Sequence, residues 1–211
     1  MSENSRFVDT LVRSGVLRSP RLVDAFLRCD RILFVPDELR HEAYGDYPLP
    51  IGEGQTISQP TTVAIMLELL RPEEGNKVLD IGSGSGWTTA LLASEVGEEG
   101  FVEGIERVAS LVEYGRNALQ RARITNASIE QADPDTLGKP HHRFDRILVS
   151  ASAPRMPRTL LDQLKPGGIL VIPVRESVWR ITKRPDGLIE SFELPGFRFV
   201  PLIVPQNENV L

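Results

Sequence analysis

Three carboxylates and one glycine turn carry the first chemical signal in this sequence. Residues 78–87 read V-L-D-I-G-S-G-S-G-W: an apolar run, Asp80 near its end, Gly82, Gly84 and Gly86 at alternate positions with Ser83 between the first two, and Trp87 at the start of the next element. Glycines so placed permit a tight turn and let a ligand approach main chain with no Cβ in the way, and the helix after them offers unpaired N–H groups. Glu106 comes after the turn at about the twenty-residue spacing at which an acid ending the next strand accepts the hydroxyls of a ribose. Asp133 comes after a third strand, where a carboxylate can accept from an adenine amino group. Singly, each acid reads as a helix cap or a solvated loop charge. Together they predict a site for a nucleoside-bearing cofactor. Asp80 separates the cofactor classes, because a carboxylate there can face a cationic ammonium but would repel the pyrophosphate of a dinucleotide. The charge pattern favours S-adenosylmethionine.

A second constellation lies upstream, at residues 50–60, P-I-G-E-G-Q-T-I-S-Q-P. Ser58 stands just before a helix opened by Pro60, so its hydroxyl can cap a free amide. The same place stabilises an anionic substrate, through main-chain N–H groups and the helix dipole. Other reactive residue types read as structural. His141 and His142 are adjacent in a loop with no third ligand in view, which argues against a metal site. Cys29 lies on an apolar helix face and reads as a packed thiol rather than a nucleophile. Trp87 fits either stacking on the cofactor or packing on the sheet, and Phe34 and Phe199 read as core.

The elements that position these residues can be read from periodicity. Two amphipathic helices are predicted first, one over 6–14 and one opening at Ser19-Pro20 with Leu22, Ala25, Phe26 and Cys29 on one face. The density of proline and glycine over 30–60 predicts an ordered loop or lid. Helix returns at Pro60 and ends before residues 71–75. Strands over 77–81, 101–105, 127–131, 144–150 and 169–173 alternate with helices over 87–96, 109–122 and 157–164, which predicts an α/β domain with a parallel sheet covered on both faces. Segments 178–183 and 188–194 flank the turn R-P-D-G and should form an antiparallel hairpin. Dehydrogenases built on such sheets continue with another strand-helix-strand half at this point. Residues 1–60 are expected to form a helical extension and lid, and 61–211 the cofactor domain, in one compact unit.

With 211 residues, 41% of them hydrophobic, the chain can bury one sizeable core without disulfides or metal. A net charge of −5 with scattered basic residues lacks the footprint of a nucleic-acid binder. The lone cysteine, an N-terminus without the apolar core of a secretion signal, and the want of any run of about 20 apolar residues point to a cytoplasmic protein with no membrane span.

These motifs coincide with a known family. The chain resembles protein-L-isoaspartate O-methyltransferases in F-V-P at 34–36, A-Y-G-D at 43–46, P-L-P-I-G at 48–52, G-Q-T-I-S-Q-P at 54–60, the glycine loop, Phe144-Asp145, Gln163-Leu164, Pro173-Val174 and R-F-V-P-L at 198–202. The 54–60 block is the specific one; many methyltransferases share the glycine loop. The resemblance implies a Rossmann-like methyltransferase fold with a seven-stranded sheet, S-adenosylmethionine as donor, and isoaspartyl residues of damaged proteins as acceptors; a monomer is expected. The ester then collapses to a succinimide and returns part of the residue to aspartate. On that pattern Ser58 matches the active-site serine, Glu106 the ribose acid and Asp133 the adenine-side acid. The residues expected around the cofactor are then Gln55, Thr56, Ile57, Asp80, Gly82, Ser83, Gly84, Gly86, Trp87, Glu106, Asp133 and Pro134, and those around the acceptor Ser58, Gln59, Val174 and Arg175. In two places the chain departs from the pattern. Pro134 replaces a glycine after the third-strand acid and removes its N–H, and Arg175 replaces the glycine after Pro-Val, where it could pair with a substrate carboxylate or narrow the cleft. Three alternatives stand beside this reading: a methyltransferase for another carboxylate, a donor-binding module without turnover, and a dehydrogenase, to which both Asp80 and the missing half-sheet are opposed.

Overall fold

The computed structural model describes residues 2–205. Helix α1 (Glu3–Arg13) begins earlier than apolar spacing alone predicts, because the Ser2 hydroxyl accepts from the Ser5 N–H at 3.1 Å and caps it. Helix α2 (Pro20–Arg28) opens at Ser19-Pro20 and buries Leu22, Ala25 and Phe26. The Ser19 hydroxyl does not cap its own helix; it donates to Glu68 of α3 (Pro60–Leu70) at 2.8 Å and ties the two together. Segment 30–60 is more regular than a loop. It contains 3-10 turns at Arg31–Leu33 and Asp37–Glu42 and an antiparallel ribbon, β1 (Leu49–Gly52) with β2 (Gln55–Ile57). Its prolines and glycines exclude long elements but leave room for these short ones.

The regular part is β3 (Lys77–Ile81), α4 (Trp87–Val96), β4 (Phe101–Glu106), α5 (Ala109–Arg121), β5 (Ala127–Gln131), β6 (Phe144–Val149), α6 (Arg158–Asp162), β7 (Leu164–Val174), β8 (Ser177–Lys183) and β9 (Ile189–Pro195). The seven strands lie in the order β5-β4-β3-β6-β7-β8-β9, parallel from β5 to β7 and antiparallel through β8 and β9. Both the alternating pattern and the closing hairpin are therefore as the sequence indicates. β7 starts five residues before the strand expected at 169–173 and takes Leu164 from the expected helix: Leu164 pairs with Phe144, and an irregularity in register absorbs the intervening turn.

Alternation along the strands builds two cores. Val78, Leu148 and Val171 face a larger one with α1 to α5, while Leu79, Ile147 and Leu170 face a smaller one with Leu160 and Leu161 of α6. Phe34 is fully buried in the larger core, and Phe199 packs against it in part. Among the described residues no helix is long and apolar enough to cross a membrane.

Gln163, at the end of α6, shapes the loop after β5. Its side chain accepts from the Lys139 N–H at 2.7 Å and donates to the Leu137 carbonyl at 2.9 Å, gripping that loop from both sides of Gly138. Gly138 has φ +73°, and a Cβ there would lie 2.4 Å from Gln163 Oε1. Gly138→Ala is expected to destabilise the protein by roughly 2 kcal/mol or more, from left-handed strain and a displaced buried amide. Chemical denaturation would measure it, and an unchanged midpoint would show that the grip is not tight.

Candidate functional site

All the loops at the carboxyl ends of β3 to β6 open into one cavity of about 270 Å³. Its walls include Gln55, Thr56, Ile57 and Ser58 from the β2 region, Gly82 to Ser85, Glu106 to Val108, Ala132 to Pro134, Leu137 and Gly138, Ser150 and Ala151, and a C-terminal strap from Val200 to Ile203. The strap is held by Ser152, which donates to the Val200 carbonyl and accepts from the Leu202 N–H, both at 2.8 Å. An open parallel sheet binds ligands at this location.

The glycine loop is fixed from two sides. Glu106 Oε2 accepts from the Gly84 N–H at 2.9 Å and Oε1 from the Val108 N–H at 3.0 Å, so one carboxylate joins the loops after β3 and β4. Each oxygen keeps a lone pair for a further donor, which a ribose diol would supply. Behind the loop, a Cβ on Gly115 of α5 would stand 2.8 Å from Ile129 and 3.1 Å from the Gly84 carbonyl, so the helix must be bare there. Gly86 caps α4 at φ +88°, a conformation that suits glycine.

Asp80 lies beneath this loop rather than on the cavity wall. It is completely buried; Oδ2 accepts from the Thr88 and Thr89 hydroxyls at 2.8 and 2.7 Å, and Oδ1 has no partner among the described residues. Burial pushes its pKa up to about 6, the two hydroxyls oppose that, and the Glu106 charge adds to it. The Ser83 hydroxyl on the wall is likewise buried and without a partner among the described residues. A bound polar ligand can complete the Ser83 hydroxyl, whereas Asp80, off the wall, acts on such a ligand only through its charge. A cationic one would reward Asp80 for ionising, so the residues present fit a donor with an ammonium or sulfonium.

Asp133 reaches the cavity, with Oδ1 taken by the Asp135 N–H at 2.8 Å; Pro134 beside it offers no amide. Trp87 both packs and borders the cavity. Its Nε1 donates to the Cys29 carbonyl at 3.0 Å and its ring meets Phe26 edge-on at 5.5 Å, so the indole is committed to the core and is not free to stack on a cofactor. Cys29 itself is buried and its pKa is raised to about 12, which leaves a packed thiol. His141 and His142 are exposed, and His142 stacks on Phe144.

Ser58 lines the cavity, and its hydroxyl forms no hydrogen bond among the described residues. It is not the helix cap. Gln59 precedes α3, and the free amide of Thr61 is taken by Asp46 at 2.9 Å, a residue that sequence spacing did not single out as functional. Three expected acceptor residues are placed elsewhere. Gln59 is outside the lining because its side chain donates to Asp46 at 3.2 Å. Val174 and Arg175 sit in a second cleft with Pro154, Arg155 and Trp179. Arg175 is at a left-handed turn, φ +56°, and its side chain folds back on the Pro154 carbonyl at 3.4 Å.

The protein-L-isoaspartate(D-aspartate) O-methyltransferase family profile matches residues 2–207. The chain belongs to this family. A protein-L-isoaspartate O-methyltransferase of Methanopyrus kandleri is 45% identical over 94% of this chain and 90% of its own length, and that of Methanothrix thermoacetophila is 48% identical over 88% and 89%. A solved structure of a protein-L-isoaspartate O-methyltransferase from Plasmodium falciparum, in complex with S-adenosyl-L-homocysteine, superposes with a TM-score of 0.84 at 28% identity, covering 96% of this chain and 99% of its own. Within the protein-L-isoaspartate O-methyltransferase pattern, Gln163 acquires a role as the clamp on the 137–139 loop. Gly115 and Asp46 were missed because their partners are distant in sequence; a glycine inside a helix was the available signal for the first.

The raised Asp80 pKa makes the stability of the unliganded chain depend on pH. A carboxyl raised above its usual value near 4 contributes stability fully present below pH 4 and lost as the pH rises through about 6. Asp80→Asn should therefore gain on the wild type between pH 4 and 7.5 by on the order of 2 kcal/mol. Urea denaturation of both proteins at several pH values measures this, and parallel stability profiles would refute it.

Proposed function

We propose that the chain transfers the methyl group of S-adenosylmethionine to the free carboxylate of isoaspartyl residues in damaged proteins, the first step of their repair, and that it works as a cytoplasmic monomer. The observation that carries this reading is a single cavity in which the glycine loop and Glu106 face Ser58. Membership of the family, and the S-adenosyl-L-homocysteine complex of the Plasmodium falciparum relative, support it.

The bound donor supplies an electrophilic methyl group on a positively charged sulfur. The acceptor carboxylate is already ionised at neutral pH, so no general base is needed. One of its oxygens forms the bond to the methyl carbon while the carbon–sulfur bond breaks and its electron pair stays on sulfur; no proton moves. The chain's tasks are then alignment and exclusion of water. Ser58 donates to the acceptor carboxylate and orients it. Glu106 holds the ribose hydroxyls, and Asp133 accepts from the adenine amino group. Asp80 keeps negative charge behind the amino acid end of the donor. The ribbon of β1 and β2 forms a lid: Ile51 packs on the glycine loop, where a Cβ on Gly84 would lie 3.2 Å from it.

Glu106→Gln would set an amide NH₂ against a main-chain N–H and remove the charge. It is expected to weaken S-adenosyl-L-homocysteine binding roughly 10- to 100-fold in calorimetry; affinity within threefold of wild type would remove Glu106 from the site. The reaction itself is tested with paired peptides that differ only in isoaspartate against aspartate, incubated with methyl-labelled donor. Base-labile label should enter the isoaspartyl peptide alone. Equal labelling of both would replace the repair reading with a general carboxyl methyltransferase, and binding without any labelling would leave a donor-binding module.

A further inference from the structure

Arg31 is the one arginine with no exposure at all among the described residues, and it has no carboxylate within hydrogen-bond reach there. Burial pulls its pKa down to about 10, so it stays protonated at neutral pH. A buried charge is costly, the more so here because Nε finds no partner among the described residues, and an apolar residue could fill the same space more cheaply. What the guanidinium does there is join two stretches of main chain. Nη1 donates to the carbonyls of Ala43 at 2.7 Å and Gly45 at 3.3 Å; Nη2 donates to those of Tyr47 at 3.2 Å and Ser58 at 3.1 Å. Its face lies over Trp87, with 5.3 Å to the ring centroid. Asp30, the residue before it, accepts from the Tyr44 hydroxyl at 2.9 Å and adds a hold on the same loop.

The loop so held returns the connection. Asp46 accepts from the Thr61 N–H at 2.9 Å, the Thr61 hydroxyl at 2.8 Å and the Gln59 amide at 3.2 Å. Ser58 is thus pinned through its own carbonyl on one side and through the first turn of α3 on the other, while its hydroxyl is left for the cavity. Neither Arg31 nor Asp46 lines that cavity, so neither can touch a ligand in it.

We propose that Arg31 and Asp46 are the positioning pair of the acceptor site, fixing the main chain around Ser58 so that its hydroxyl stands at the right distance from the glycine loop. The inference rests on the reading that the acceptor docks at Ser58. It requires a planar fork of donors at residue 31, because an ammonium has three donors at one point and cannot span four carbonyls on two segments.

The test compares Arg31→Lys, Arg31→Met and Asp46→Asn with the wild type in three measurements: calorimetric titration with S-adenosyl-L-homocysteine, steady-state kinetics on an isoaspartyl peptide, and hydrogen exchange. All three variants should keep one donor site per chain, with affinity within about fivefold. The value of kcat/KM for the peptide should fall roughly 10- to 100-fold for the Arg31 variants, with lysine rescuing part of the methionine defect, and several-fold for Asp46→Asn. Amides of residues 55–61 should exchange faster while those of 78–96 do not. A loss of activity that merely tracks a loss of donor sites would make Arg31 a stability residue and overturn the proposal, as would unchanged kinetics in folded variants. If the Arg31 variants fail to fold, Asp46→Asn, at an exposed position, decides alone. If the wild type leaves the isoaspartyl peptide unmethylated, the proposed function falls. Exchange then still decides the positioning: loosening confined to 55–61 supports it, and unaltered protection there refutes it.

Discussion

The site depends on one carboxylate shared between two loops. Glu106 holds the Gly84 N–H and the Val108 N–H with its two oxygens, at 2.9 and 3.0 Å, and so fastens the turn after β3 to the turn after β4. Charge-assisted bonds of this kind are the strong ones, and here both are largely out of water. Once the turn is fastened, its carbonyl side lies against Gly115, its last glycine starts α4, and its free face becomes the floor of the cavity. On the proposed reading, removing the carboxylate would free the turn and the ribose position at once. Binding and loop geometry are therefore not separable at this residue.

The second half of the cavity is joined to the first through Trp87. The indole begins α4 directly after the glycine loop, yet its N–H bonds to the end of α2 and its face lies under Arg31. The glycine loop and the main chain of Ser58 are thus both one contact away from the same ring. Close packing transmits displacement between neighbours rather than absorbing it. The N-terminal helices consequently share a core with the sheet, and they set the spacing between the glycine-loop and Ser58 walls of the cavity as firmly as the sheet does.

Much of this was legible in the sequence because it is periodic. The strands from β3 to β6, the helices between them and the closing hairpin follow from two repeat lengths and from glycine and proline punctuation. The glycine turn, Glu106 and Asp133 follow from rules about strand ends. The contacts that escaped have no period: Arg31 to four carbonyls, Asp46 to the start of α3, Gln163 to the 137–139 loop, Gly115 against Gly84. In each, a polar side chain or a missing Cβ answers main chain far away in sequence, and nothing local marks the partner. Ser58 illustrates the difference. Its position before Pro60 suggested a cap, but a side chain from another loop supplies that bond and leaves the hydroxyl to the cavity.

The two departures from the family pattern differ in kind once their backbones are known. Arg175 occupies a turn with φ +56°, where an L-residue costs on the order of 1 kcal/mol and glycine is relieved of it. The usual glycine there answers to conformation, and the arginine side chain lies over Pro154 in a second cleft, so its charge is not delivered to Ser58. Pro134, in contrast, stands on the cavity wall beside Asp133 and removes a donor that no neighbouring side chain replaces in the described contacts. Asp133 already spends one oxygen on the Asp135 amide. On the proposed reading, recognition of an adenine amino group would fall on the remaining oxygen and on apolar lining such as Val108 and Leu137. A base held by shape and one acceptor is discriminated less sharply than one held by a donor and an acceptor together, so on the proposed reading selectivity for the donor would rest on the ribose end, where Glu106 stands, with the Asp80 charge buried behind the loop.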